Sequence, residues 1–414
     1  MAASAAISFT TSLAAQAQAD SARADSTSPK QTVQIALPVG VTVGGFIQVD
    51  GRVFFNDTAD RLINDLTIRR FRIDLAGTAG KYVSYHIQPD FAGAKVTLND
   101  VYAEFSGSPA VKLRVGKAKV PFSLERAQAT PNNIFVEQGA TLAIAPNYDV
   151  GVQLLGDLFG GVLFYQGGLF NGAADGASVD DDVEDAKDVA GRVQITPFAQ
   201  QKGSLLNGLS FGAGATHGTR HGAPATPETP TYKTAGQNTF LSYLSTTVAE
   251  GDVNRVSVYG ADYSGPVSVL GEWVRSHEDL RSTSTVTPPV VTTGTFENRA
   301  YQVYGTIVLT GECASFRGVV PRHAFDPAHG HWGALELVAR YDDLKADDAT
   351  AAPFVDLTKS ATRATSRTIG FNWYFSKQVR AEVNYQTTNF VSGAAGGASR
   401  PAEHVLLTRL QTVF

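Results

Sequence analysis

The chain has 414 residues, with 34 Lys and Arg against 39 Asp and Glu, which gives a formal net charge of −5. This balance predicts no nucleic-acid binding, and the single cysteine, Cys313, excludes an intrachain disulfide and a metal site built on several thiolates. No run of about 20 apolar residues occurs, so no membrane-spanning helix is expected. A chain that crosses a membrane without such helices must form a closed barrel, because lipid cannot satisfy backbone N–H and C=O groups.

The amino-terminal residues 1–19 are predicted to be a signal peptide. Ile7 to Ala15 is mildly apolar, and Ala17-Gln18-Ala19 fits the small-x-small cleavage pattern. No basic residue precedes the apolar stretch, which is compatible with a start placed inside a longer signal. A disordered Ala/Ser tail is the alternative. Residues 20–43 are polar and contain proline, which predicts a flexible lead-in to a domain spanning 44–414.

From Gly44 onward, segments of roughly 8 to 12 residues alternate apolar and polar side chains, and the connections between them alternate between short and long. Both patterns are typical of a transmembrane β-barrel with its long loops outside the cell. The sequence therefore predicts an all-β protein, a sixteen-stranded antiparallel barrel. The strands are predicted near 45–55, 66–76, 82–90, 98–105, 112–119, 150–156, 162–170, 188–196, 208–217, 253–263, 267–277, 299–310, 332–341, 366–375, 379–389 and 404–414.

Two segments depart from this simple pattern. Phe240 to Val248 resembles a strand, but counting it would give an odd number and would put the tight turn at Ser264-Gly265-Pro266 on the outer side. We therefore assign it to a loop. Thr310 to Gly330 is long although it lies on the inner side, and we expect it to form a periplasmic cap or the edge of a plug.

Strand alternation also assigns each side chain to the lipid or to the lumen. An Arg or Lys facing lipid at the membrane midplane costs about 2–4 kcal/mol, so charged rows are placed inside. Two roles remain open for these cations, pairing with carboxylates across the wall or attraction of permeant anions. The residues predicted to face inward include Asp50, Arg52, Arg70, Arg72, Asp74, Glu104, Lys112, Arg114, Arg192, Glu272, Glu336, Arg340, Arg380, Glu382, Arg409 and Gln411.

Several runs of sequence resemble a known family. They are Leu66 to Ile73, Asp90-Phe91-Ala92-Gly93, Asn99-Asp100-Val101-Tyr102, Val115 to Glu125 with its Gly-x-x-Lys-x-Pro-Phe pattern, Ala145 to Leu154, Tyr232 to Tyr243, Trp332 to Tyr341, and Gly370 to Tyr374. Over about residues 44–414 the chain is similar to the phosphate-selective porin O and P family.

The resemblance implies a sixteen-stranded, trimeric outer-membrane porin whose third loop folds into the lumen and narrows it. Here that loop is Val120 to Asp149, and Lys117, Lys119 and Arg126 flank its start. A narrow passage of this kind needs donors that replace the water lost by an anion. However, the loop has Glu137-Gln138 where many family members carry an Arg. We therefore expect a general pore with weak anion preference rather than a dedicated phosphate site.

The function predicted from the sequence is passive diffusion of small hydrophilic solutes through the bacterial outer membrane, with a preference for anions and phosphate as a candidate. The alternative is a structural or interaction barrel whose lumen is blocked by its loops. No catalysis, cofactor or metal is expected, and the predicted partners are the solutes or anions, outer-membrane lipid and two further copies in a homotrimer. The residues predicted to line the pore are Arg70, Arg72, Arg114, Lys117, Lys119, Arg126, Arg340, Arg380 and Arg409.

Overall fold

The computed structural model of the chain contains one closed barrel of sixteen antiparallel strands, in which the last strand pairs with the first. The structure describes residues 40–55, 62–181, 185–201, 203–204, 206–347, 351 and 353–414. The predicted signal, 1–19, lies outside the described residues, as does the predicted lead-in up to residue 39. The first strand begins at Val41, slightly earlier than the predicted start at residue 44.

Every predicted strand overlaps an observed barrel strand in the same order, so the prediction of sixteen is confirmed. The barrel strands are β1 (Val41–Phe54), β2 (Asp65–Ala79), β3 (Val83–Asp90), β4 (Thr97–Ser108), β5 (Val111–Lys119), β6 (Tyr148–Leu158), β7 (Leu163–Phe170), β8 (Asp188–Ile195), β9 (Ser210–His221), β12 (Thr247–Ser264), β13 (Val267–Thr283), β14 (Val291–Val308), β15 (Ala334–Ala346), β16 (Ala361–Tyr374), β17 (Val379–Ser392) and β18 (Glu403–Val413). Two short strands, β10 (Thr231–Lys233) and β11 (Thr239–Ser242), form a separate two-stranded sheet. Their position confirms that the strand-like residues from Phe240 onward are not part of the barrel wall until β12 begins.

The helices are short and lie in the connections. They are the α-helix Leu124–Ala127 and the 3₁₀ turns Thr130–Asn132, Ala140–Ile144, Pro327–His329 and Ala395–Gly397. Within the described ranges, no helix is long and apolar enough to span a membrane.

The barrel wall has unequal height. Strands β12 to β14 have 17 or 18 residues, whereas β3, β5, β7 and β8 have 8 or 9. The sequence prediction ended β13 at residue 277, but the strand continues to Thr283. Its outward row changes there from apolar to polar, with Arg275, His277 and Asp279, so the lipid-facing pattern used to recognise the strand stops before the strand does.

The predicted sides of the strands agree with the exposure of the side chains. On the outer surface Leu337, Ile369 and Leu410 are exposed, whereas inward-facing Glu382 and Arg409 are buried. Because alternation has a period of two, this agreement also fixes the register of each strand relative to the lumen.

The register between β1 and β2 shifts at one place, which identifies a β-bulge. Gln48 lies opposite Arg70 and Val49 lies opposite Ile68, so Arg69 is an extra residue on β2. Arg70 Nη1 donates to Gln48 Oε1 at 2.8 Å, and Arg69 Nε donates to Glu137 Oε1 at 2.8 Å. The extra residue thus turns two consecutive arginines toward the lumen, as a bulge can do by re-aiming a side chain.

The close contact between β4 and β5 gives a stability prediction for Gly116. This glycine has φ of +127°, and a Cβ added there would collide with the backbone carbonyl oxygen of Val101. We expect Gly116→Ala to lower the free energy of unfolding by about 1–3 kcal/mol, measured by heat or urea unfolding in detergent. Gly107→Ala is the matched control on β4, because no atom lies within 4 Å of its added Cβ. Equal stability of the two variants would contradict this account.

Candidate functional site in the lumen

Residues 120–147, which join β5 to β6 and are called L3 below, lie inside the barrel. Their backbone accepts or donates hydrogen bonds with inward side chains of β13 and β15 to β18. These pairs are Arg380 with Asn133, Asn372 with Ile134, Gln411 with Pro131, Arg340 with Glu137, Asn384 with Val136, and Glu272 with Leu124. A loop that is hydrogen-bonded to the inward side chains of five strands must cross the lumen.

L3 covers one half of the inner wall and leaves the other half accessible. Inward side chains beneath it, such as Gln302, Asn372 and Glu382, are 0% exposed. On the opposite wall, the side chains of His86, on β3, and Asp74, on β2, are 23% and 30% exposed. The accessible passage therefore runs between L3 and the wall formed by β2 to β5.

The upper part of the covered half is apolar, which differs from the polar interior expected from the sequence. Inward Val274, Leu280 and Phe296 pack in one buried cluster with Ile144 of L3 and Phe240 of the β10–β11 hairpin. These inward apolar residues are tolerated because loops fold over them and remove them from water. The cluster fixes L3 and the hairpin to the wall.

Three cations beside the passage hydrogen-bond only to neutral acceptors, and we call Arg70, Lys119 and Arg126 the unpaired basic group. Arg70 bonds to the Gln48 amide, Lys119 Nζ donates to the Gln128 carbonyl at 2.6 Å, and Arg126 Nη2 donates to the Leu142 carbonyl at 2.7 Å. Arg126 also donates to the Gln138 amide oxygen at 3.2 Å. Among the described residues, none of the three has a carboxylate oxygen within 4.0 Å.

Other cations on the same side of the lumen are neutralised by carboxylates. Arg72 Nε lies 2.8 Å from Asp90, and Arg114 Nη2 lies 2.7 Å from Glu104. The bulge residue Arg69 pairs with Glu137 of L3. Arg72 also donates a hydrogen bond to Thr130 of L3 at 3.3 Å. This bond and the Arg69–Glu137 pair attach L3 to β2.

A cavity of about 770 Å³ opens above L3 on the long-loop side. L3, residues 174–177 and the β10–β11 hairpin contribute to its walls. Its charged lining carries both signs, and consists of Arg69, Arg70, Arg72, Arg126, Lys233, Arg340, Asp90, Glu137, Asp175, Glu228 and Asp342. A solute entering from this side meets these charges before it reaches the passage beside L3.

The comparison with known families decides the identity of the chain. A family model described as phosphate-selective porin O and P matches residues 41–414. The chain belongs to this porin family. It is a bacterial outer-membrane porin, a channel for passive diffusion rather than an enzyme.

Solved structures share the porin fold at low sequence identity. The outer-membrane channel DcaP of Acinetobacter baumannii is 14% identical, with a TM-score of 0.55, and the match covers 90% of this chain and 97% of that one. An anion-selective porin from Comamonas acidovorans is 13% identical with a TM-score of 0.55, covering 90% and 99%. The trimer form of OmpT from Vibrio cholerae is 11% identical with a TM-score of 0.53, also covering 90% and 99%. A comparison with curated proteins found no match.

Four of the nine predicted pore-lining residues lie away from the accessible passage of the porin. Lys117 lies opposite Val101 and Val150 and pairs with Asp180 of the loop after β7. The other three face inward as expected, but their side chains are at most 4% exposed because L3 and the wall cover them, although Arg340 also contributes to the lining of the cavity above L3. They are Arg340, which pairs with Asp342, Arg380, which pairs with Glu382, and Arg409, which pairs with Asp50. Their contacts anchor L3 and the wall.

Sequence reasoning missed Arg69, although the sequence carries a signal for it. The apolar residues Leu66, Ile68, Phe71 and Ile73 advance by two, three and two positions. The three-residue step marks the inserted bulge residue, because an unbroken strand would keep a step of two.

The charge state of the L3 residues follows from their surroundings in the porin. Burial alone would raise the pKa of Glu137, but the positive charges of Arg69 and Arg70 outweigh it and lower the pKa to about 2. Burial lowers the pKa of Arg126 to about 10, against the opposing effect of Glu125. Both groups are therefore ionised at neutral pH, and the Glu137 carboxylate offsets part of the positive charge on β2.

The long connection between β14 and β15, residues 309–333, closes part of the periplasmic mouth of the porin. Gln128 of L3 donates to the Phe316 carbonyl at 2.9 Å, and the Phe316 ring lies edge-on at 5.7 Å from Tyr263. Ala314 N–H bonds to the Gly265 carbonyl at 2.7 Å. This periplasmic segment supports L3 from below, in the manner of the plug edge expected from its length.

Replacing residues 311–331 of the porin with a short Asn-Gly turn is expected to increase single-channel conductance. The change removes Phe316 from the lumen and frees the Gln128 amide from its acceptor, so both the width and the mobility of the passage increase. Planar-bilayer recording measures the effect. His329→Ala, in the same segment, is the control, because this side chain is 73% exposed. Unchanged conductance after the replacement would show that the segment does not restrict the pore.

Proposed function

We propose that this porin conducts small hydrophilic solutes with a preference for anions, and that the unpaired basic group sets this preference. The observation that carries the proposal is that, within the part of the chain that the structure describes, Arg70, Lys119 and Arg126 meet only neutral acceptors beside the passage. No carboxylate therefore offsets their positive charge at hydrogen-bond distance, whereas the charges of Arg72 and Arg114 are already compensated. Arg70 and Lys119 are half-buried and face a passing anion, and Arg126, 6% exposed, adds its charge from within L3.

The expected preference is weak. Asp100 lies on the same wall and interacts electrostatically with Lys119, and Glu137 does so with Arg70. In bulk water two unit charges 4 Å apart interact by about 1 kcal/mol, and by about 4 kcal/mol at an effective dielectric constant of 20. A small cationic excess in a partly hydrated passage therefore biases permeation without excluding cations. Phosphate is one anion that these donors fit, since guanidinium groups bind its oxygens in pairs.

The packing of the loops also supports a second function, an occluded barrel. L3, the β10–β11 hairpin and the periplasmic segment together occupy the half of the lumen next to β12 to β18. L3 already meets β2 through Arg69 and Arg72. If these segments also meet the wall of β3 to β5 in the membrane, the barrel would be occluded and would serve a structural or interaction role. Conductance separates the two functions directly.

We also infer that the porin assembles as a homotrimer. The support is the trimer form of the structurally similar OmpT from Vibrio cholerae. Native mass spectrometry in detergent, with chemical cross-linking of the protein in outer-membrane vesicles, tests the assembly. A uniformly monomeric species in both measurements would contradict the inference.

The experiment that tests the proposed function is planar-bilayer conductance of the refolded porin across a KCl gradient, followed by titration with phosphate. An open channel whose reversal potential has the anion sign is expected. Block by low phosphate concentrations would indicate a phosphate site, whereas indifference to phosphate would indicate a general anion-preferring pore. A cation-sign potential would refute the anion preference, and the absence of conductance would favour the occluded barrel.

A further inference from the structure

His86 on β3 is the one histidine of the porin whose side chain faces the lumen. The chain has eight histidines, and all of them belong to the described residues. The other seven lie on the outer surface of the wall or in the periplasmic segment, and they are His217, His221, His277, His404, His323, His329 and His331. An imidazole is the side chain whose ordinary range of titration falls between pH 5 and 8. His86 is therefore a candidate for a charge in the lumen that varies with the pH of the medium.

The side chain of His86 pairs with a carboxylate beside the passage. His86 Nε2 lies 2.9 Å from Asp74 Oδ1, which also accepts a hydrogen bond from Gln88 Nε2 at 2.6 Å. Gln88 Oε1 accepts in turn from Arg72 Nη1 at 3.1 Å, and Arg72 is bonded to Thr130 of L3. Asp74 follows Arg72 by two residues, about 7 Å along β2 toward the periplasmic turn. A solute that has passed L3 and Arg72 therefore meets this pair next.

The pair of His86 and Asp74 differs from the other ion pairs on this wall in its dependence on pH. The pairs of Arg72 and Arg114 with their carboxylates are neutral near pH 7, because guanidinium and carboxylate groups both stay ionised there. The histidine pair has one negative charge when the imidazole is neutral and no net charge when the imidazole is protonated. Protonation at this one position therefore removes a negative charge from the passage.

The groups that face His86 come from three neighbouring strands and carry both signs of charge. On β2 Asp74 is its hydrogen-bond partner, and on β4 the Tyr102 ring meets the imidazole edge-on at 5.6 Å. Asp100 on β4 and Arg114 on β5 act on it electrostatically, and the Arg114 guanidinium lies 4.2 Å over the Tyr102 ring. The charged residues of L3 bond to partners away from this histidine, and they are Glu125, Arg126 and Glu137. These neighbours exclude neither charge state of the imidazole.

We propose that His86 is a further selectivity-determining residue of this porin, and that its protonation strengthens the anion preference by neutralising Asp74 in the passage. The inference rests on the proposed function, because it modulates the preference that the unpaired basic group sets. With a neutral imidazole, the Asp74 carboxylate attracts cations and opposes that group. With an imidazolium, the pair is neutral and the unpaired basic group acts alone. The anion preference is therefore stronger in acidic than in alkaline medium.

The test is the reversal potential of the refolded porin in planar bilayers across a KCl gradient, measured at about pH 5.5 and about pH 8, on either side of the ordinary titration of an imidazole. Neither potassium nor chloride titrates in this range, so a change reports on the protein. The chloride-to-potassium permeability ratio is expected to be about twofold to fivefold higher at the acidic pH, the effect of one unit charge acting at a few ångström in water.

Four variants assign the pH dependence to a side chain. His86→Gln keeps a hydrogen-bond donor for Asp74 but does not titrate, so its permeability ratio should stay near the alkaline value at both pH values. His86→Lys stays charged and should keep the ratio near the acidic value. Lys119→Gln removes a second titratable group of this wall, and should lower the ratio at both pH values while the difference between them persists. His404→Gln is the matched control on the outer surface, where His404 contacts Tyr385, and should keep the full pH dependence.

The outcomes separate this inference from the proposed function. An anion-sign potential that is the same at both pH values would overturn the role of His86 and leave the proposed function intact. A pH dependence that persists unchanged in His86→Gln would also overturn it, and loss of the pH dependence in Lys119→Gln would assign the effect to Lys119 instead. A cation-sign potential at both pH values would refute the proposed function, and the inference with it.

Discussion

Arg70→Glu is expected to move the reversal potential of the porin from the anion side toward the cation side. The substitution replaces a positive charge by a negative one. Among the described residues, the positive charge has only the Gln48 amide as a hydrogen-bond partner. Each unit charge at contact changes ion energy by about 1 kcal/mol in water and more in a narrow passage, and the substitution changes two units. A change of about tenfold or more in the anion-to-cation permeability ratio should therefore result.

The measurement is the reversal potential in planar bilayers under a salt gradient. Arg70→Gln should give an intermediate value, because it removes one unit of charge instead of two. Lys117→Glu is the matched control with the same change in charge, since its ammonium pairs with Asp180 rather than facing the passage. The effect should decline at high ionic strength, because salt screens exposed charges. Identical potentials for Arg70→Glu and Lys117→Glu would disprove the role of Arg70.

Asp50→Asn is expected to destabilise the porin strongly, because it breaks the ion pair that joins the first and last strands. Arg409 makes two hydrogen bonds of 2.7 Å to the Asp50 carboxylate, and both side chains are at most 4% exposed. Removing one partner of a buried pair costs up to roughly 3–5 kcal/mol, because it leaves a charge without its partner. Glu382, 4.0 Å from Arg409, would offset part of that charge. The expected result is a large fall in the melting temperature, which heat-dependent gel mobility and circular dichroism would measure.

The pair of Arg52 on β1 and Asp65 on β2 provides a matched control between β1 and its other neighbour. Its side chains are 17% and 32% exposed, so Asp65→Asn should cost no more than about 1 kcal/mol. The double variant D50N/R409Q should recover part of the stability lost in Asp50→Asn, because neither charge is then left alone. A melting temperature for Asp50→Asn equal to that of Asp65→Asn would refute the importance of this seam pair.

Strand number and sidedness were predictable because each depends on a local pattern. The two-residue alternation of Leu335, Leu337 and Ala339 with Glu336 and Arg340 fixes both the strand and its faces without knowledge of the rest of the chain. The same pattern became unreliable above the membrane interface, where Arg275 and His277 occupy the outward row, and the ends of the tall strands were missed.

The roles of the inward cations could not be predicted, because they depend on the path of L3. Arg114 and Arg409 have the same local signature, a charged residue in an alternating strand. Arg114 lies beside the passage, whereas Arg409 is covered. Only the contacts of L3 with β13 and β15 to β18 distinguish these two positions. Neither the pairing of Glu137 with Arg69 nor that of Lys117 with Asp180 has a sequence pattern, since both join a strand to a distant loop.

The groups that hold L3 lie far from the loop along the chain. Gln411 bonds to the Pro131 carbonyl and Arg380 to the Asn133 carbonyl, so part of the anchoring of the loop comes from strands that are synthesised last. A barrel that lacks β17 and β18 would miss three of the six hydrogen bonds between the L3 backbone and the wall described above, those from Arg380, Asn384 and Gln411. The same two strands thus close the wall against β1 and complete the fixation of L3, so the pore reaches its final shape only when the carboxyl-terminal strands are in place.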